Sequence, residues 1–167
     1  MRAYILLFAA VAALMVSCSN EVETASMSPT ESHSATKGHF RGTSIGDRMD
    51  DILRREPIDS VVFSLPNQIM YNISTDTCVL QVSYEFEQDT LHTIQADWFF
   101  LKIDAMELFQ EDVRASLDTR YARQDGDGDY EVWHSVRASG QMIEFTLLDA
   151  SIEYGRPVLS LTIHNFQ

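Results

Sequence analysis

Apolar and polar side chains alternate strictly from residue 80 to residue 87, and Cys78 extends the apolar row by one step. Cys78, Leu80, Val82, Tyr84 and Phe86 form one row, with Gln81, Ser83, Glu85 and Glu87 between them. A period of two predicts a strand with one face buried. It sets the Cys78 thiol on the inward row, where a free cysteine behaves as a small packing group. A turn at Gln88 and Asp89 leads to a second strand over residues 91–101, with Ile94, Ala96, Trp98 and Phe100 on one face. Apolar stretches at 58–65 and 69–74 come before this pair. Three more strands are predicted at 130–138, 142–148 and 158–166, and Ser139 and Gly140 suit a tight hairpin between the first two.

The period changes in two places. Near Ile45 the folded part begins, with Asp47 as the expected N-cap and Met49, Ile52 and Leu53 as one apolar face before Pro57 stops the helix. A longer helix follows the second strand. Asp104 is its expected N-cap, Glu107 completes a capping box, and Met106, Phe109, Val113 and Leu117 recur at helical spacing. Residues 123–129 read as the loop after it. The order helix, meander, helix, meander predicts an α+β fold, with two helices packed on an antiparallel sheet in a single domain over 45–167 and with a tandem helix-plus-meander repeat as its plan.

The start of the chain has another character. Arg2 is followed by an apolar run at 4–16, about 13 residues long. At 1.5 Å per residue such a helix is too short for a hydrocarbon core about 30 Å thick, but it suits the apolar part of a signal peptide over residues 1–17. Leu14, Met15, Val16, Ser17 and Cys18 resemble the lipobox of bacterial lipoproteins, with Met15 standing where that family prefers Leu. The resemblance implies cleavage before Cys18 and a lipid on its thiol, which would hold the protein to a membrane surface in the cell envelope. Ser19, where the family's inner-membrane retention signal has Asp, implies the outer membrane. The alternative is an ordinary secreted protein cut nearby. From Cys18 to residue 44 the chain is rich in Ser, Thr, Glu and small residues. It has too little to bury to offset its ordering entropy, which predicts a flexible tether with a mean span of roughly 25–30 Å.

Charge narrows the partners. The formal net charge is −13, and phosphate backbones are bound by displacing counterions with positive surface, so nucleic acid is not an expected partner. Neither G-x-G-x-x-G nor a P-loop occurs, so nothing in the sequence supports nucleotide binding. With Cys18 acylated, Cys78 is the remaining thiol, and the fold must rest on its apolar core.

Two local features bear on chemistry. Asp125, Asp127, Asp129 and Glu131 alternate with Gly126, Gly128 and Tyr130. Carboxylates at alternate positions of a flexible loop are what Ca²⁺ takes, and the spacing is similar to the start of an EF-hand loop. The turn glycine and the twelfth-position Glu of that loop are replaced by Tyr130 and Val136, and the other reading is a solvated acidic connection. The second feature is a candidate partner surface. Taking Tyr130, Val132 and Val136 as inward turns Glu131, Trp133, Ser135 and Arg137 outward, next to Glu144, Thr146, Thr162 and His164. An exposed Trp133 ringed by polar groups, with Glu144 and His164 nearby, has the composition of a binding hot spot. The alternative reading places the helices over this face and Trp133 in the core. No Ser lies in a G-x-S-x-G elbow, and His92, His134 and His164 fall in predicted strands.

The segment 44–57 (SIGDRMDDILRREP) looks like the opening of small envelope lipoproteins akin to the one in the outer-membrane barrel-assembly machine, except that Glu56 stands where Gly usually precedes the Pro. The duplicated layout resembles β-lactamase-inhibitor-protein folds, and residues 130–149 and 153–163 look like uncharacterised small lipoproteins. These resemblances imply a non-enzymatic binding or scaffold lipoprotein with an envelope protein as partner and no cofactor, or else an inhibitor-like module that binds an enzyme. An envelope enzyme without a recognised motif is the third reading.

Overall fold

In the computed structural model, which describes residues 38–56, 60–125 and 128–166, the alternating rows become one eight-stranded antiparallel sheet. Along the chain run α1 (Met49–Arg55), β1 (Val61–Leu65), β2 (Gln68–Ser74), β3 (Cys78–Glu87), β4 (Thr90–Phe100), α2 (Ile103–Arg120), β5 (Ala122–Gln124), β6 (Tyr130–Val136), β7 (Met142–Asp149), α3 (Ser151–Tyr154) and β8 (Val158–Phe166). The strand order is β1-β2-β3-β4-β8-β7-β6-β5. Two four-stranded meanders thus meet where β4 pairs with β8, at Ile94↔Ile163, Ala96↔Leu161 and Trp98↔Leu159. The fold is α+β with the sheet dominant and the helices few. Among the described residues, no helix is long and apolar enough to cross a membrane.

The inward rows of β3 and β4 are as their alternation predicts. Cys78, Leu80, Val82, Tyr84 and Phe86 are buried, as are Ile94, Ala96, Trp98 and Phe100. On α2 the buried residues are Met106, Phe109, Val113 and Leu117, the expected stripe. Phe109 sets its ring 5.1 Å from Trp98 and 5.5 Å from Phe100, so helix and sheet share one aromatic cluster. The hairpin at Ser139 and Gly140 is also present. Gly140 donates its N–H to Arg137 O at 2.9 Å and has φ +83°, a conformation in which glycine carries no Cβ penalty.

Both expected helix caps fall elsewhere. At α1 the capping position is Arg48, whose side chain makes no capping bond. Asp47 is engaged otherwise: its backbone O accepts from Leu91 N–H at 2.8 Å, and its carboxylate takes Ser44 N–H at 3.0 Å and Arg55 at 2.6 Å. Pairing with the start of β4 fixes the backbone of Asp47 in place of the capping turn. At α2 the helix begins one residue before Asp104. Met106 N–H already bonds Lys102 O, which puts Asp104 inside the first turn, where its charge still suits the helix dipole.

Order also begins earlier than Ile45. Residues 38–44, expected as the end of the tether, pack beneath the sheet: Phe40 is 2 % exposed with its ring edge-on to Trp98 at 6.0 Å, and Thr43 is buried. His39 Nδ1 accepts Ile45 N–H at 3.0 Å, and the ring meets Phe145 edge-on at 5.8 Å. Burial, then the nearby charges of Arg137 and Arg120, lowers His39 from 6.5 to about 4. Glu56, after α1, is buried and accepts from Tyr84 Oη at 2.5 Å and Arg41 Nη2 at 3.2 Å. One aromatic ring over Trp98 and one buried carboxylate thus hold a segment whose composition has little else to bury. The expected loop at 123–129 likewise contains most of β5, which pairs Arg123 with Trp133 and Gln124 with Val132. The expected signal peptide, Cys18 and the tether up to residue 37 lie outside the described residues, as do Pro57 and Asp127.

Candidate functional site

The strands send their second row to the face opposite α2. Along β7 these are Met142, Glu144, Thr146 and Leu148, and along β8 they are Ser160, Thr162 and His164, the outward positions that alternation predicts there. β6 does not follow its expected parity. Trp133 pairs with Phe145, Glu131 with Leu147 and Ser135 with Ile143, so all three belong to the helix-covered face. Trp133 is fully buried, and its Nε1 donates to Asp118 Oδ1 on α2 at 2.7 Å. The expected hot spot is therefore a core residue. The residues expected inward, Tyr130, Val132 and Val136, point to the open face, where Tyr130 and Val136 are exposed. Val132 keeps its burial, though on the opposite side from the one expected. The reason is register: a one-residue change of parity moves every side chain of a strand to the other face.

With Trp133 removed, the other two candidates come together and gain a third. Cross-strand register sets His134 opposite Glu144 and Glu144 opposite His164. The same row continues to Thr93, Glu85 and Gln68. His134 Nε2 lies 3.1 Å from Glu144 Oε2, and His164 Nε2 lies 3.8 Å from Oε1. Thr146 Oγ1 is 3.4 Å from the same Oε1, and the ring of Phe166 lies 5.4 Å from that of His134. The three side chains are 21 %, 18 % and 31 % exposed, half-sunk in the face opposite α2. His134 is the member that the sequence reading missed. Its signal lay in the hairpin, because counting outward from Ser139 pairs Val136 with Met142 and then His134 with Glu144.

Two rungs along, the open face carries a ladder of polar groups. Asn72, Gln81, Asp97 and Ser160 are consecutive partners on β2, β3, β4 and β8. Asp97 is 5 % exposed and accepts from Ser160 Oγ at 2.5 Å and Gln95 Nε2 at 3.1 Å. Burial pushes its carboxyl up, and those two donors partly offset the effect. Gln81 donates to Asn72 at 3.2 Å, and Gln68 to Ser83 at 3.0 Å. At this end a cavity of about 400 Å³ is lined by Asn72, Val79, Gln81, Phe99, Tyr154 and Arg156 among others. The Arg156 guanidinium stacks 4.3 Å from the centre of the Phe99 ring, and Tyr154 meets that ring edge-on.

The Ser160 hydroxyl donates a hydrogen bond to Asp97 Oδ1 across the strand pair. The Cys78 thiol is buried and pushed up by that burial, away from the thiolate that a nucleophile needs. The acidic loop is divided by the fold. Asp125 and Asp129 are exposed, whereas Glu131 turns to the covered face and takes a fork of bonds from Arg114, Nε at 2.8 Å and Nη2 at 2.7 Å, with Arg123 at 2.5 Å. The Arg114 bonds hold the Glu131 carboxyl below its usual range. Glu131 is thus bound to arginine and not presented to the loop as a cation ligand. No family model, no curated protein and no solved structure matches the chain.

Proposed function

We propose that the protein is a lipid-anchored binding module of the bacterial cell envelope, non-enzymatic, which holds a partner protein on the open face of its sheet. The observation that carries this reading is the asymmetry of the sheet. One face is filled by α2 and by residues 38–45, while the other keeps its half-buried polar groups bonded sideways between strands and turned to solvent. Such a surface is rigid before a partner arrives, so little ordering entropy opposes binding. The element order, a helix and four strands followed by a helix and four strands with α3 inserted before the last, supports a tandem repeat joined along β4 and β8, with a helix of each half packed on the sheet. The lipobox-like residues 14–18 support the anchor at Cys18, and Ser19 supports the outer membrane.

The anchor and the face are tested separately. A fatty-acid probe should label the wild-type chain and fail to label Cys18→Ser; equal label on both would end the lipoprotein reading. For the face, the full chain is cross-linked in intact envelopes. Thr162→Arg, at the centre of the open face, should abolish the cross-linked adduct, and Glu111→Arg on the exposed side of α2 should leave it. An adduct lost only with Glu111→Arg would move recognition to the helices.

A further inference from the structure

We propose that His134, Glu144 and His164 form a binding site for a divalent transition-metal ion of the zinc class. Glu144 differs from the other buried glutamates in its partners. Glu56 and Glu131, the other largely buried glutamates described above, are each held by an arginine. Glu144 is 18 % exposed, and among the described residues its recorded ion-pair partners are the two imidazoles alone. The site therefore sets a largely buried carboxylate between two imidazole nitrogens, in a chain whose net charge is −13.

A tetrahedral zinc ion with bonds of about 2.0–2.1 Å separates its ligand atoms by about 3.3–3.4 Å. The separation from His134 Nε2 to Glu144 Oε2 is 3.1 Å, close to such an edge, and His164 Nε2 stands 3.8 Å from Oε1. As found, no three His, Cys, Asp or Glu side chains among the described residues are placed to hold a metal ion together. Closure requires the His164 ring, the most exposed of the three, to swing inward over Glu144. The three residues are cross-strand partners at one level of three adjacent strands, so their side chains leave the sheet side by side. Two histidines and a glutamate are an established zinc ligand set, with the fourth position left to water or to a donor from another molecule. Thr146 Oγ1, beside Glu144 Oε1, is placed to orient the carboxylate.

The inference uses the same face as the partner reading but does not depend on it. The test uses the full chain without a histidine tag, purified in detergent and titrated with Zn²⁺ alone against a chromogenic chelator. One equivalent should bind, and Glu144→Gln and His164→Ala should each weaken binding by at least about tenfold, as expected for losing a first ligand when outer-shell changes alone cost 10–100-fold. His92→Ala, beside Thr93 and outside the triad, should bind as wild type. Absence of binding, or equal affinity in His164→Ala, would overturn the proposal. Ring-nitrogen NMR on the wild-type chain decides the matter even where a variant unfolds. The signals of His134 and His164 should move with Zn²⁺, and movement confined to His33, His39 or His92 would also overturn it. An adduct that forms equally with chelator present, alongside failed Zn²⁺ binding, would leave the partner reading standing and end only this one.

Discussion

The covered and open faces of the sheet are made by the same strands, and they use polar groups in different ways. On the covered face, Trp133 and Glu131 spend their polar atoms on α2, through Asp118 and Arg114, so each bond fixes helix to sheet. On the open face, Asp97, Ser160, Glu144 and His134 bond to neighbours on the same or adjacent strands, so each bond stiffens the sheet without bringing in another layer. Stability therefore resides mainly on one side. Four substitutions or titrations can break or sharpen this contrast.

The largest effect belongs to Trp133→Ala. It removes a fully buried indole and leaves Asp118 without its donor, and it should cost about 3–5 kcal/mol in chemical unfolding. A loss under about 1 kcal/mol would return Trp133 to the surface. The second is the titration of His39. Its folded value, about 4, lies below the ordinary 6.5, so the unfolded chain takes up the proton first. Its contribution is then complete above pH 6.5 and is lost as pH falls through about 4. Urea unfolding of wild type and His39→Gln should show the difference between them shrinking by on the order of 2–3 kcal/mol from pH 7 to pH 4. A flat difference would show that residues 38–44 are not packed beneath the sheet.

Arg114→Ala comes third, with an expected loss of about 1–2 kcal/mol near neutrality, since its fork to Glu131 is charge-assisted but partly exposed. Arginine holds the Glu131 carboxyl low, so this contribution is present above the ordinary glutamate range and vanishes as pH falls through the folded value. The cost of Arg114→Ala should accordingly disappear in acid, and a cost independent of pH would assign it to packing of the arginine stem. The smallest effect is expected for Thr162→Ala on the open face, within about 0.5 kcal/mol of wild type. A larger loss there would mean that the open face carries stability too, and the contrast between the faces would fail.

Parts of this organisation were legible in the sequence for a definite reason. In β3 and β4 the apolar residues occupy a single parity, and in α2 they occupy a single stripe, so period alone tells which side meets the core. In β6 the sequence Tyr-Glu-Val-Trp-His-Ser-Val puts apolar residues on both parities, and no local rule ranks Trp133 against Val132 and Val136. The choice was made by the hairpin, which sets Trp133 beside Phe145, and by α2, which supplies Asp118 to the indole. Glu131 was grouped with Asp125 and Asp129 because charge and spacing are all that a sequence displays, whereas Arg114, 17 residues away, is what removes it from them. The same holds for residues 38–44, whose composition reads as tether until Phe40 finds Trp98. Period and composition determine what a segment can bury by itself. Which partner it is buried against depends on contacts between residues distant in the chain, and those exist only once the sheet has closed its register.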